Sequence, residues 1–292
     1  MRCDLHVHTI HSGMCSIPLL NRACRESYND PREVYETLKR RGMGLITVTD
    51  HDSIDAVESL RRRPDFFLSE EVSCVMPGGT HLHMGVYGID ERDHLQLQRR
   101  RDDMPSLIAY LDERRLLFSV NHVFSSLTGP RKAADFDEFA SRFPAVETRN
   151  GQMLAIANRH AAGFSERARK IAVAGSDAHT MESLGRTYTE VPGARDAKEF
   201  LDGLRAGRGT VAGESGDYWK LTRAIWGIAA SFMLERPLAM LLMPLAVLIP
   251  LVTLVNLALE FTFARRWGRR AAAPSAIAPG MIPRPQSLEI LR

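Results

Sequence analysis

The sequence predicts an α/β protein in which a closed parallel barrel is followed by a hydrophobic, membrane-associated helical segment. Short apolar runs alternate with helical patterns through residues 1–215, and polar residues suited to metal binding follow several of those runs. An uncharged apolar run occupies residues 238–259. About seven short strands that alternate with helices favour a closed barrel over an open sheet.

The first predicted strand carries the stretch DLHVHTIHSG, which begins at Asp4. His6 and His8 leave the same face of an extended segment as Asp4, because side chains alternate along a strand. Two parallel imidazoles make half of a coordination sphere for a divalent metal, and Asp4 is then suited to fix a ring tautomer. The alternative is a polar strand whose histidines hydrogen-bond to their neighbours.

A helix and a second strand follow this segment. Asp30 is a suitable N-cap for the helix, and Gly42 is a suitable left-handed stop. The apolar run from Leu45 to Val48 is the next predicted strand, and the polar stretch 50–52 stands at its carboxyl end. Carboxyl ends of strands are where α/β folds keep their sites.

The same alternation continues along the chain. Further strands are predicted at 66–72, 80–87, 116–123, 145–148 and 171–174, and helices at 104–115, 153–170 and 197–204. Each candidate metal ligand falls on or just after one of these strands.

Composition narrows the classes of function. The net charge is only +3, and the arginine runs 61–63 and 99–101 are typical of solvated helix faces, so we expect no nucleic acid partner. The four cysteines have no C-x-x-C spacing, and the N-terminus lacks the apolar core of a signal peptide. Both features predict a reducing, cytoplasmic setting.

The apolar run 238–259 is long enough to cross the hydrocarbon core of a bilayer, which is about 30 Å thick. A buried core helix is the alternative. Basic residues flank the run on both sides, which leaves open a single-pass anchor or a re-entrant segment broken by Pro244 and Pro250. We expect the protein at the cytoplasmic face of the cell membrane.

These features divide the chain into four parts. Residues 1–215 form the predicted catalytic domain, and 216–236 a linker that includes a short interfacial helix. Residues 237–264 form the transmembrane or re-entrant segment, and 265–292 a basic, disordered tail.

Six stretches stand in one order at the predicted strand ends: DLHVHT, TDHD, SEEVS, HLHMGVYG, NHV and GSDAH. Together they resemble the PHP (polymerase and histidinol phosphatase) family of metal-dependent phosphoesterases over about residues 1–215. The resemblance implies a distorted (β/α)7 barrel that holds two or three divalent metal ions at the carboxyl ends of its strands. Mixed imidazole and carboxylate ligands suit Mn, Fe or Zn.

The resemblance also implies a set of site residues. The implied metal ligands are His6, His8, His51, Glu71, His83, His122, Asp177 and His179. Glu71 bridges neighbouring ions, and Glu71, Asp177 and His179 take the implied catalytic roles. Glu71 is preferred to Glu70 because the family ligand stands two residues before a serine, and His83 is preferred to His81 because of its distance to YGID.

One position departs from the family pattern. The family places an aspartate, a ligand of the second metal, where this chain has Gly13. His11, Cys15 and Asp52 are the candidate replacements, and a weakly held second metal is the alternative. Residues 18–29 read as an insertion that forms either a lid over the site or a surface loop.

Charge chemistry then predicts the reaction. Clustered divalent ions neutralise phosphate oxygens, and a hydroxide bridging them displaces the alcohol of a small phosphate ester, namely a phosphomonoester, a nucleotide or a lipid-linked phosphate. Arg131 and Arg186 are candidates for binding the phosphate, and a surface role is the alternative for each. The competing functions are a PHP-type nuclease acting on polynucleotide and a catalytically degenerate metal-binding scaffold.

Overall fold

The chain folds into a mixed α/β structure with two sheets and a long apolar helical segment at the C-terminal side. The computed structural model describes residues 1–15 and 20–271. The strands are β1 (Arg2–Cys3), β2 (Ser69–Val75), β3 (His81–Tyr87), β4 (Leu117–Val120), β5 (Ala145–Asn150), β6 (Ile171–Gly175), β7 (Thr187–Glu190) and β8 (Thr210–Gly213).

Helices cover the sheets and form the C-terminal segment. The α-helices are α1 (Pro31–Arg40), α2 (Val57–Leu60), α3 (Glu91–Arg100), α4 (Met104–Glu113), α5 (Ala133–Arg142), α6 (Ala155–Ala168), α7 (Ala197–Arg205), α8 (Tyr218–Glu235) and α9 (Ile249–Ala271). Two 3₁₀ helices span Leu20–Arg22 and Pro237–Leu248.

Strands β2 to β6 form one sheet in chain order, and β1, β7 and β8 form the other. The two segments that carry the first motifs, around Val7 and His51, pair with their neighbours only through isolated bridges. Val7 pairs in parallel with Ala178, and His51 pairs in parallel with Glu71. Thr49 N donates to Val7 O at 2.8 Å, so the two segments are also joined to each other.

This pairing corrects the prediction that the strands all run parallel. In the described residues the regular strands form two sheets, and β3 pairs antiparallel with both β2 and β4. A tight turn joins β2 to β3, where Met76 N donates to Thr80 O and Gly79 N to Met76 O. So short a connection has no room for the crossover that parallel pairing requires. After the short strand β1, the runs predicted as strands at Asp4 and Leu45 form isolated bridges and no regular strand.

Helix α1 shows how packing orients the first motif. Asp30 caps the helix by accepting from Arg32 N and Glu33 N, as predicted, and Gly42 takes the left-handed conformation with φ +83°. The apolar face of α1 buries Leu38 in a cluster that also contains Val7 and Ile46. Because Val7 points into this cluster, His6 and His8 point to the opposite side.

The C-terminal segment is apolar and mostly exposed, but its far end packs against the rest of the protein. The helical stretch Pro237–Ala271 is long and apolar enough to cross a membrane, and Leu238 and Leu241 are 84% and 82% exposed. Trp267 stacks on Phe136 with ring centroids 5.7 Å apart.

This packing corrects the predicted tail. Helix α9 continues to Ala271, so residues 265–271 are helical where a disordered segment was expected. Burial of Trp267 against α5 supplies the contacts that keep this stretch folded. The rest of the predicted tail, 272–292, lies outside the described residues, as do residues 18 and 19 of the predicted insertion.

Candidate metal centre

The structure brings all eight predicted metal ligands together at one end of the central sheet. Two of them flank the Val7 bridge, His51 and Glu71 face each other across another bridge, and the others come from β3 and from the segments after β4 and β6. These adjacent segments direct their polar residues to the same edge, which is the expected position of a site in α/β folds.

Glu71 is the centre of the cluster. Its Oε2 lies 3.0 Å from His6 Nε2, 3.4 Å from His8 Nε2 and 3.4 Å from His51 Nδ1. Its Oε1 lies 3.4 Å from His122 Nε2 and 3.7 Å from His83 Nδ1. One fully buried carboxylate is therefore shared by five imidazoles, an arrangement suited to bridging two cations.

Asp177 is the second carboxylate of the cluster. Its Oδ1 lies 3.3 Å from His8 Nε2 and 3.6 Å from both His6 Nε2 and His179 Nδ1. Asp177 and His122 adopt positive φ values of 51° and 31°, a conformation that costs free energy for residues other than glycine and that clusters at functional sites. Glycine at 175 lets this strand approach, since a Cβ there would lie 2.3 Å from His6 Cβ.

Glu147 is a buried site residue that the sequence analysis missed. Its Oε1 lies 2.7 Å from His6 Nδ1, while its Oε2 accepts from His122 N at 3.0 Å. It therefore orients His6, the role predicted for Asp4. Asp4 instead accepts from the backbone N–H groups of Ser176 and Gly185. In the sequence, Glu147 stands out only as an acidic residue inside the otherwise apolar strand AVET. None of the six family motifs includes this strand.

A second chain of hydrogen bonds orients His8. His8 Nδ1 lies 2.9 Å from Ser12 Oγ, and that hydroxyl donates to Asp50 Oδ1 at 2.6 Å. Asp50 also accepts from the backbone and the hydroxyl of Thr9. Such partners fix the ring orientation and tautomer of a metal ligand.

Glu26 reaches the position left open by Gly13. Its Oε1 lies 3.3 Å from His179 Nε2 and 3.6 Å from His51 Nε2, and its backbone N donates to Gly13 O at 3.1 Å. The second part of the predicted insertion thus brings a carboxylate to the two histidines that lack the family aspartate. No local pattern indicates this position of Glu26, because Gly13 and Glu26 are far apart in the chain.

The predicted replacements for that aspartate are engaged elsewhere or lie away from the cluster. Asp52 Oδ2 pairs with Arg101 at 2.9 Å, and its Oδ1 accepts from Ser73 N. Cys15 packs beside Cys24 and Phe232. Among the described residues, His11 lies outside the groups of donors that fit a metal ion.

The structure brings neither predicted phosphate-binding arginine to the cluster. Arg131 is buried and donates to Val123 O, His81 O and Thr128 Oγ1, and burial lowers its pKa to about 10. Arg186 donates to Glu182 O and pairs with Glu214 on the surface. Both guanidinium groups bond to nearby backbone carbonyl oxygens, so neither is placed to bind a phosphate at the cluster as predicted.

Burial and the two carboxylates shift the pKa values of the imidazoles in opposite directions. Burial lowers the pKa of His8 and of His83 to about 3, so both rings are neutral. Burial opposes ionisation of Glu71, but the charges of His6 and His51 outweigh it and hold the pKa of Glu71 well below its usual range. Burial likewise lowers the pKa of His51, yet Glu71 and Glu26 raise it to about 9. Metal binding would release that proton.

Buried ring nitrogens without a hydrogen-bond partner indicate that these residues are suited to bind a metal ion. Among the described residues, four buried ring nitrogens of the cluster have no hydrogen-bond partner: His8 Nε2, His51 Nδ1, His122 Nδ1 and His179 Nε2. Buried polar atoms are rarely left unpaired, so each one calls for a partner. Three groups of donors within 4.8 Å of one another fit an ion, and they are His8–His51–His179, His6–His8–Asp177 and His51–Glu71–His83. The cluster fits divalent metal ions.

A cavity of about 460 Å³ opens onto the cluster. Its floor is formed by His51, Glu71, His83, His122 and Asp177, and Glu26 and His179 stand on its side. Residues of α8 and α9 form the opposite wall. A molecule in this cavity would contact the cluster and the C-terminal segment together.

Known proteins resemble both the sequence and the fold. A family model described as PHP-associated matches residues 155–208. The resemblance to the PHP family is confirmed. An uncharacterized protein of Methanocaldococcus jannaschii is 31% identical over 67 residues, a match that covers 23% of this chain and 38% of the relative. The PHP-like chain therefore aligns with less than half of that relative's length.

A solved structure shares the fold, and a second is similar at a lower TM-score. PsfC from Pseudomonas syringae has a TM-score of 0.54 at 18% identity, covering 80% of the PHP-like chain and 97% of PsfC. A lesion-specific endonuclease, EndoQ from Pyrococcus furiosus, has a TM-score of 0.47 at 16% identity, covering 72% of the PHP-like chain and 57% of EndoQ. At these identities the likeness concerns the fold alone.

Proposed function

We propose that this PHP-like chain is a metal-dependent phosphoesterase that hydrolyses a phosphate ester. The observation that carries the proposal is the position of Glu71, whose two oxygens lie 3.0 to 3.7 Å from ring nitrogens of five histidines. A buried carboxylate shared by imidazoles with unpaired ring nitrogens is the chemistry of a multinuclear site. One bridge joins Val7 to Ala178, after β6, and another joins His51 to Glu71, in β2. These two bridges support a distorted (β/α)7 barrel.

Three groups of ligands follow from the contacts. His6, His8 and Asp177 would hold one ion, His51 and His179 with Glu26 a second, and His83 and His122 with Glu71 a third. We propose two or three ions of Mn, Fe or Zn, because imidazole nitrogens outnumber carboxylates. When bound, the ions would neutralise phosphoryl oxygens and lower the pKa of a water.

The chain's own groups orient the reactants. Asp177 is ionised, because burial opposes its charge less than His6 and His8 favour it, so it can accept a hydrogen bond from the attacking water. His179 stands on the side of the cavity with 20% of its side chain exposed, within reach of a leaving oxygen. No Arg or Lys is found among the described residues that line the cavity, so neutralising a bound phosphate falls to the ions.

The first test compares substrates on the full chain. Purified protein with Mn²⁺ is assayed against an aryl phosphate and a single-stranded oligonucleotide, and metal is counted by elemental analysis. We expect aryl phosphate turnover with at least two ions per chain. Cleavage of the oligonucleotide with no aryl phosphate turnover would establish the nuclease alternative, and bound metal without turnover of either substrate the scaffold alternative.

We also propose that the C-terminal segment is a re-entrant anchor at the cytoplasmic face of the membrane. The helices on either side of the 3₁₀ helix Pro237–Leu248 both contact the predicted catalytic domain. Lys220 of α8 pairs with Glu214, and Glu260 of α9 accepts from Ser126 N. A segment that leaves and returns to the same domain does not need to cross the bilayer, and its exposed leucines would lie in the apolar layer.

Epitope tags at the two termini test this topology. We expect both tags to be digested by protease added to the same side of sealed membrane vesicles, because the chain enters and leaves on one face. A tag on a known single-pass protein serves as the control for vesicle sealing. Protection of only the C-terminal tag would contradict the re-entrant anchor and establish a single pass.

A further inference from the structure

The cavity over the cluster has two chemically different sides. Its floor is polar, but the wall supplied by α8 carries Leu221, Ala224, Ile225 and Ile228. Helix α9 adds Leu257 to this wall, beside the polar residues Asn256 and Glu260. Among the described lining residues, none is aromatic other than histidine. A nucleoside would find no flat stacking partner and few hydrogen-bond donors on this wall.

The apolar wall adjoins the stretch that carries most of the large exposed apolar side chains among the described residues. Leu238, Leu241 and Val247 are 84%, 82% and 73% exposed in the stretch that connects α8 to α9. Exposed apolar patches of this kind mark interaction with a membrane or an apolar ligand. The wall of the cavity and the surface proposed to enter the membrane are therefore continuous through two helices.

Residues 24–26, in the second part of the predicted insertion, contact both the C-terminal segment and the cluster. Arg25 pairs with Glu235 at the end of α8 at 2.9 Å, and Cys24 packs with Phe232 and Ala239. Glu26, in the same segment, reaches the cluster. The C-terminal segment is thus attached to the site through the residues that complete it.

We propose that the substrate is the phosphomonoester of a long apolar chain, a lipid phosphate, whose chain lies along α8 and α9 while its phosphate reaches the cluster. This inference rests on the proposed phosphoesterase function. Water would add to phosphorus, the bond between phosphorus and the ester oxygen would break, and the leaving alkoxide would take a proton. The products are an apolar alcohol, which returns to the membrane, and inorganic phosphate.

The test uses the full chain in phosphatidylcholine vesicles with Mn²⁺, and compares butyl phosphate with decyl phosphate below its critical micelle concentration. We expect kcat/KM to be at least about tenfold higher for decyl phosphate, since each buried methylene contributes up to about fourfold. Equal values would overturn the lipid inference and leave the proposed function in place. No turnover of either ester or of an aryl phosphate would overturn the proposed function itself.

Variants separate the cavity wall from simple partitioning into vesicles. Leu257→Asn and Ile225→Asn, each checked for folding by circular dichroism, are expected to reduce the decyl preference to about threefold or less. Leu259→Asn is the matched control, because Leu259 is 61% exposed and lies about 200° around the helix from Leu257. A tenfold preference that survives both wall variants would contradict the proposal.

Discussion

Replacing Glu71 with glutamine is expected to lower kcat/KM for an aryl phosphate by about a thousandfold or more, equivalent to about 4 kcal/mol of transition-state stabilisation. The glutamine amide is uncharged, so it cannot bridge two cations. The five imidazoles around residue 71 would then face an uncharged side chain. Bound metal, counted by inductively coupled plasma mass spectrometry, is expected to fall in parallel.

Glu70 provides the control for this variant. It is the adjacent residue of β2 and is fully buried, but it points to the other face, where it contacts His94 Nδ1 at 2.8 Å and Gln98 Nε2 at 3.1 Å. We expect Glu70→Gln to keep kcat/KM within about fivefold of the parent. Equal losses in the two variants would mean that the effect reports stability of β2 and not metal binding.

Replacing Glu26 with glutamine is expected to weaken binding of one ion by about 10- to 100-fold while the others stay bound. Glu26 is the carboxylate that reaches both His51 and His179, so its neutralisation affects the second site selectively. Calorimetric titration of the metal-free full chain with Mn²⁺ measures this as the loss of one binding step, independently of any turnover.

An aspartate placed at position 13, where the PHP pattern has one, is a second test of the assignment of Glu26 to the second metal site. Nothing lies within 4 Å of a Cβ placed at Gly13, although its φ of +86° strains a side chain. Aspartate tolerates this conformation better than most residues. We expect Gly13→Asp to recover the lost binding step in the Glu26→Gln background. Glu33→Gln, on the exposed start of α1, is the control. A full set of binding steps in Glu26→Gln alone would remove Glu26 from the site.

Much of the metal centre could be predicted from the sequence, because its ligands lie at the ends of predicted strands. His6 and His8 are two residues apart around an apolar Val7, and this alternation is enough to predict that both leave the same face. The resemblance to the PHP family, carried by six short motifs in order, implies which other histidines and carboxylates join them. The preference for Glu71 over Glu70 agrees with the opposite faces that the two side chains occupy in β2.

The residues that tune the centre could not be predicted in this way. Glu147 lies inside an apolar strand, and Glu26 lies in a segment with no family motif, so neither has a local pattern. Arg131 and Arg186 have suitable chemistry, but neighbouring carbonyl oxygens and Glu214 already occupy their donors. Which donors stay free depends on contacts between distant parts of the chain.

The sequence by itself determined the ligand types, their strand-end positions and the apolar C-terminal run, since each follows from local alternation or composition. Only the tertiary structure decided the sheet pairing, the role of Glu26 and the return of α9 to the catalytic domain. The physical reason is that these features depend on which surfaces are buried against each other, and burial is a property of the folded chain as a whole.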